Sequence, residues 1–137
     1  MSVTVPINEV AAVLDRRSNL TYLLTVGDDG RTHCVASTVE WLGDELVVPA
    51  GKTSARNALA RGRVVILSPP AAGLGAPGTD EEGYSLIVDA DVTAAPAQEE
   101  TSERTVRVRP THAVLHRPAI AADGRRANDC VPVYDKT

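Results

Sequence analysis

The spacing of hydrophobic and polar residues changes near residue 20. Before it, Ile7, Val10, Ala11 and Leu14 recur at helical spacing, and Pro6 suits the first position of a helix. After it, short runs of β-branched and aliphatic residues alternate with polar ones, a pattern typical of strands. The chain is therefore predicted to begin with a short helix and to continue as a mostly β structure.

Six segments have the composition of strands, and turns rich in glycine and aspartate separate the first three. A second short helix is predicted at 55–61, with Thr53 or Ser54 as its N-cap and Gly62 as a left-handed C-terminal cap. Short strands linked by tight turns predict an antiparallel barrel or sandwich. We expect one domain over residues 1–137, with an irregular tail from about residue 119. The predicted strands span residues 20–26, 31–41, 45–49, 64–67, 84–95 and 104–117.

Two glycine motifs suggest nucleotide binding, and neither has the required context. Residues 73–78 match G-x-G-x-x-G, but prolines precede and interrupt the motif and an acidic cluster follows it. We interpret segment 68–82 as a mobile loop and not as a nucleotide site. Gly51, Lys52 and Thr53 resemble the end of a P-loop, but Leu46 stands where that motif needs its first glycine.

Composition argues against several classes of function. The net charge is −4, and the chain has one Trp, three Tyr and no Phe, so it lacks the basic footprint and the stacking aromatics of nucleic-acid binders. No apolar run reaches the length of a membrane span, and no signal peptide is evident. We therefore expect a cytoplasmic domain with no nucleic-acid or membrane partner.

Cysteines and histidines give no sign of a metal or nucleophilic site. Cys34 lies in an apolar strand and is expected to be an inert core thiol, whereas Cys130 lies in the tail. His112 and His116 would lie about 13 Å apart on one face of a strand, too far to share a metal ion. No acid–base constellation stands out, so an enzyme of this sequence would depend on a cofactor.

Segment 51–57 combines the features of an anion-binding site. A strand ends before Gly51, and the helix that follows has a hydroxylated start and carries Lys52, Arg56 and Asn57. Free N–H groups, hydroxyls and two cations would converge there on a phosphate. The same residues also fit an ordinary capped helix with a solvated basic face, and the residues alone leave both interpretations open.

The order of elements resembles a known family. A helix, a β-hairpin, a third strand, a short helix with a basic start and three more strands are similar to the flavin-binding split barrels of the pyridoxamine 5′-phosphate oxidase-like superfamily. That superfamily has FMN-dependent and F420-dependent members. The best local similarity lies in segment 48–67, and the hairpin 20–40 with its Asp28-Asp29-Gly30 turn is also typical. Residues 84–90, 113–118 and 129–132 resemble an actinobacterial branch.

This resemblance implies a fold and a cofactor site. The fold would be mainly β, a six-stranded antiparallel split barrel with two short helices. Five residues would hold the cofactor phosphate and two more would lie near the isoalloxazine ring. The five are Lys52, Thr53, Ser54, Arg56 and Asn57, and the two are Ser37 and Thr38.

The resemblance also implies a function. A homodimer would hold FMN or F420 at the subunit interface and transfer hydride to or from a small-molecule substrate. The alanine-, arginine- and valine-rich, lysine-poor composition indicates a high-GC genome, which keeps F420 beside FMN as the cofactor. The alternative is a non-catalytic barrel that binds flavin or haem, or one that binds no cofactor.

Overall fold

The structure, a computed structural model, describes residues 2–17, 20–70, 83–95 and 104–117, together with two short strands in the tail. A 3₁₀ turn at Ile7–Glu9 leads into the first helix. The helices are α1 (Val10–Asp15) and α2 (Lys52–Arg61). The strands are β1 (Ser2–Thr4), β2 (Thr21–Val26), β3 (Thr32–Ser37), β4 (Glu40–Leu42), β5 (Glu45–Pro49), β6 (Arg63–Ser68), β7 (Ser85–Ala94), β8 (Thr105–His116), β9 (Ala119–Ile120) and β10 (Arg126–Ala127).

Eight strands form one curled antiparallel sheet with the order β3-β2-β6-β7-β8-β5-β4, and β1 pairs with β8. β3 and β4 are the two edges of this path, yet they are consecutive in the chain and joined by Thr38 and Val39. The barrel is therefore split between β3 and the β4–β5 hairpin. Strands β9 and β10 pair with each other.

The mainly β split-barrel fold is confirmed, with eight strands in its sheet instead of six. Strand β1 was missed because three residues with a single apolar side chain, Val3, give no periodicity. The predicted strand 31–41 is two strands, because the chain leaves the β2 edge after Ser37 and joins the opposite edge at Glu40. Local alternation continues through this crossing, so the sequence pattern conceals it.

Strand β8, with 12 residues, pairs with β7 along one edge and with β5 and β1 along the other. Two register shifts interrupt its ladder with β7, one of them between Asp89 and Ala90. Pro110 lies at this shift, opposite Ala90, where the missing N–H of a proline is tolerated. Before Pro110, β8 pairs with β5 through residues 105–108, and after it β8 pairs with β1 through residues 114–116.

The core lies inside the curled sheet and follows the alternation of each strand. α1 adds Val10, Val13 and Leu14 to it. Largest among the fully buried apolar side chains of the strands are Leu23, Leu46, Ile66, Leu86, Val48, Val88, Val106 and Val108.

Cys34 is not a core thiol, contrary to the expectation from its apolar neighbours. It is exposed, because the inward positions of β3 are His33, Val35 and Ser37, and Cys34 faces out beside Leu24. Cys130 and the glycine motif at 73–78 lie outside the described residues, as does segment 71–82 of the predicted loop. None of the described helices is long and apolar enough to cross a membrane.

Arg17 connects the end of β6 with the start of β7, on either side of segment 69–83. It is 7% exposed, and its Nε donates to Ser68 Oγ at 2.9 Å while its Nη2 donates to the Tyr84 carbonyl. The Arg117 guanidinium lies 4.7 Å from the centre of the Tyr84 ring. Arg17 therefore fixes the end of β6 against the residue that precedes β7.

Candidate functional site

The start of α2 is the centre of the predicted site. Gly51 is the N-cap with no side-chain capping bond, and Ala55 N–H donates to the Gly51 carbonyl at 2.9 Å as the first helical bond. The helix thus begins at Lys52, three residues before the predicted start, and neither Thr53 nor Ser54 caps it. The N–H groups of residues 52–54 have no helical acceptor.

The two faces of α2 divide the predicted phosphate residues. Lys52, Thr53 and Arg56 are exposed, and spacings of three and four place them side by side. Side chains on a helix tilt toward its N-terminus, so Arg56 runs back toward the free N–H groups. Ser54 and Asn57 lie on the opposite, buried face.

Lys52 and Arg56 place two positive charges on one turn of the exposed face. Within the described residues neither side chain forms an ion pair or a hydrogen bond. Like charges four residues apart destabilise a helix slightly, and an anion between them would remove that cost. This turn is suited to a phosphate group.

Asn57 and Arg61 attach α2 to β2 and to the turn that follows it. Asn57 Nδ2 donates to Thr25 Oγ1 at 3.2 Å inside the barrel. Arg61 Nη2 donates to the Gly27 carbonyl at 2.8 Å. The sequence analysis missed Thr25, although a threonine at an inward position of an apolar strand is a signal that a buried hydrogen bond is needed.

Ser37 lies beside the start of α2. Its Oγ donates to the Pro49 carbonyl at 2.9 Å, two residues before Gly51, and approaches the Thr38 carbonyl at 3.3 Å. Thr38 is exposed in the link between β3 and β4. The structure thus brings Ser37 and Thr38 to the same end of the split as Lys52 and Arg56.

Comparison with known sequences identifies relatives in mycobacteria. No family model matches the chain. Uncharacterized proteins of Mycobacterium bovis and Mycobacterium tuberculosis are each 34% identical to it in an alignment of 122 residues, and the match covers 80% of this chain and 79% of theirs.

Comparison with solved structures identifies the fold. A candidate pyridoxamine 5′-phosphate oxidase from Listeria innocua has a TM-score of 0.56 at 17% identity, over 80% of this chain and 96% of that one. An F420 reductase has a TM-score of 0.52 at 20% identity over 72% and 90%. The haem storage protein HutZ of Vibrio cholerae has a TM-score of 0.57 at 14% identity over 78% and 91%.

The chain belongs to one family with the two mycobacterial proteins. Its fold is that of the pyridoxamine 5′-phosphate oxidase-like split barrels. Its split runs between β3 and the β4–β5 hairpin, and the start of α2 lies at one end of it. Trp41 lines the hairpin side, half-buried against the core in register with Leu46. Its indole Nε1 is buried without an acceptor among the described residues.

The outer face of the sheet carries a groove. The groove has a volume of about 660 Å³, with an apolar floor that includes Leu24, Val26 and Val65 and charged sides that include Arg63 and Asp89. None of the seven predicted site residues lines it. Within the described residues no cluster of His, Cys, Asp and Glu could hold a metal ion.

Proposed function

We propose that this split barrel binds a flavin or deazaflavin cofactor, FMN or F420, and acts as an oxidoreductase on a small molecule. The observation that carries the proposal is the exposed turn of α2, where Lys52 and Arg56 flank three free N–H groups in a fold shared with an F420 reductase. A bound cofactor of this class supplies hydride transfer, so the protein has only to bind it, orient it and exclude water.

The described residues fit the phosphate end of such a cofactor. Lys52, Thr53 and Arg56 offer two cations and a hydroxyl beside the free N–H groups of the first turn. Thr38 offers an exposed hydroxyl at the ring side, whereas the Ser37 hydroxyl already donates to Pro49. Thr38 is therefore the better donor to the polar edge of the ring.

We further propose that the protein is a homodimer with the cofactor at the subunit interface. The outer face of the sheet carries a row of half-buried apolar side chains, because Leu67 is in register with both Tyr22 and Ile87, and Ile87 with Val114. Contiguous apolar patches that stay partly open to water mark protein interfaces. A second copy packed on this row would cover it.

A second candidate function is storage or transport of a bound haem or flavin. The observation that favours it is the similarity of the fold to the haem storage protein HutZ. Fold similarity at this identity does not fix the ligand. The absorbance and mass spectra of the molecule that copurifies separate a flavin, a deazaflavin and a haem.

The experiment that tests the proposal is titration of FMN and F420 into wild type and Arg56→Ala. Loss of a charge-assisted contact to phosphate weakens binding roughly 10- to 150-fold. Arg56→Lys should recover only part, because the bidentate guanidinium is lost. Arg63→Ala is the matched control, since Arg63 is also exposed but follows the C-terminal end of α2. Equal dissociation constants for FMN and F420 in wild type and Arg56→Ala would show that this turn does not bind the cofactor.

A further inference from the structure

Asn57 is the buried link between α2 and the barrel. It is 3% exposed and its acceptor Thr25 is 1% exposed, so neither group has water as an alternative partner. A buried amide that loses its acceptor costs more free energy than the bond itself contributes. The pair therefore holds α2 in one rotation about its own axis.

The spacing of the two α2–β2 contacts sets the direction of the helix. Asn57 and Arg61 are four residues apart, a rise of about 6 Å along a helix. Their partners Thr25 and Gly27 are two residues apart, about 6.6 Å along extended chain. The two rises are similar and the contacts follow the same order along both segments, so α2 runs in the same direction as β2 and the residue that follows it.

Gly27 lies beside the Asn57 amide. A Cβ at Gly27 would be in ordinary van der Waals contact with Asn57 Oδ1, at 3.8 Å, and closer to Asp29 Oδ1 of its own turn, at 3.1 Å. The helix and the hairpin turn are therefore in contact where the Asn57 amide lies.

We propose that Asn57 is a positioning residue that acts through Thr25 and does not touch the cofactor phosphate. The bond to Thr25 sets where the first turn of α2, with Lys52 and Arg56, stands relative to the split. This inference rests on the proposed function, because it assumes an anion at that turn. It replaces the direct phosphate contact that the family resemblance implies for Asn57.

The test compares FMN with riboflavin, which has the same ring and no phosphate. Thr25→Val removes the acceptor at nearly constant volume and should weaken FMN binding about 3- to 10-fold while leaving riboflavin binding unchanged. Thr25→Ser keeps the hydroxyl and should restore the preference for FMN. If wild type prefers F420, the same comparison uses F420 and its phosphate-free chromophore.

A double-mutant cycle distinguishes positioning from direct contact. If Asn57 acts through Thr25, Asn57→Ala and Thr25→Val lower the FMN-to-riboflavin affinity ratio equally, and the double variant is no worse than either. A ratio that falls in Asn57→Ala and stays at the wild-type value in Thr25→Val would overturn the proposal, because Asn57 would then contact the phosphate itself.

Amide hydrogen exchange tests the same link in the protein without added cofactor. Amides of α2 should exchange several-fold faster in Thr25→Val than in wild type or Thr25→Ser, with the amides of β6 and β7 unchanged. Unchanged exchange in α2 would overturn the positioning role. If wild type binds neither FMN nor F420 more tightly than the phosphate-free form, the proposed function is contradicted. The hydrogen-exchange result would still show whether the Asn57–Thr25 bond holds α2 in place.

Discussion

Ser37 Oγ donates a 2.9 Å hydrogen bond to the Pro49 carbonyl, which joins the last residue of edge strand β3 to the last residue of β5. The two strands belong to opposite sides of the split. Thr21, on the strand next to β3, donates to the Ser37 carbonyl at 2.9 Å, so Ser37 is held from both sides. The bond from Ser37 to Pro49 places the link that precedes α2 against the edge of β3.

The first prediction concerns that bond. Ser37→Ala removes the donor across the split and should lower the free energy of unfolding by about 0.5–1.5 kcal/mol, the net contribution of one such bond. Urea denaturation measures this as a lower midpoint with an unchanged slope. Thr32→Ala is the control on the same strand, because Thr32 faces out and is exposed. An equal loss in both variants would show that the bond across the split contributes nothing specific.

The second prediction concerns Arg17, whose buried guanidinium bridges Ser68 and Tyr84. Arg17→Met should lower the free energy of unfolding by about 2–4 kcal/mol, because two buried acceptors lose a charged donor. Arg17→Lys should recover only part, since one ammonium cannot reproduce the fork. Arg31→Met, at a side chain that is 89% exposed, should change stability by less than about 0.5 kcal/mol. A loss in Arg17→Met no larger than in this control would contradict the bridging role.

The sequence predicts most of the fold because most of its signals are local. Alternation locates β5, β6, β7 and β8 to within a few residues, and Gly62 has the left-handed φ of 72° expected for a C-terminal cap. The crossing at Thr38 and Val39 could not be predicted, because a strand that changes edges keeps the same alternation. The number of strands in the sheet depends on this long-range pairing.

The candidate site is only partly visible in the sequence, for a related reason. Composition identifies a basic, hydroxylated helix start, but not which side chains face the barrel. That depends on where α2 begins, and the start at Lys52 turns Ser54 and Asn57 inward. The partner of Asn57 lies 32 residues away on β2, and no local pattern connects the two.

The third prediction concerns Gly62, which ends α2 in a left-handed conformation. A Cβ at this position would meet no atom within 4 Å, so the cost of substitution is one of backbone conformation and not of space. Gly62→Ala should lower the free energy of unfolding by about 1–2 kcal/mol. Gly62→Asn should cost less, because asparagine tolerates this region better. Thermal and urea unfolding of the two variants measures the difference, and equal losses would contradict a conformational origin.

The last prediction tests the outer face of the sheet as the dimer surface. Leu67 lies at the centre of its apolar row, in register with Tyr22 on one side and Ile87 on the other. An arginine there would have to be buried without a partner on association, whereas the monomer leaves it in water. Light scattering at micromolar concentration should therefore give wild type twice the 14.4 kDa of the chain and Leu67→Arg the mass of one chain.

The control is Leu42→Arg, which makes the same change at a leucine that is 53% exposed on β4 and should remain dimeric. Circular dichroism confirms that both variants are folded. A dimeric Leu67→Arg would place the interface on another face, and a monomeric wild type would remove the homodimer altogether.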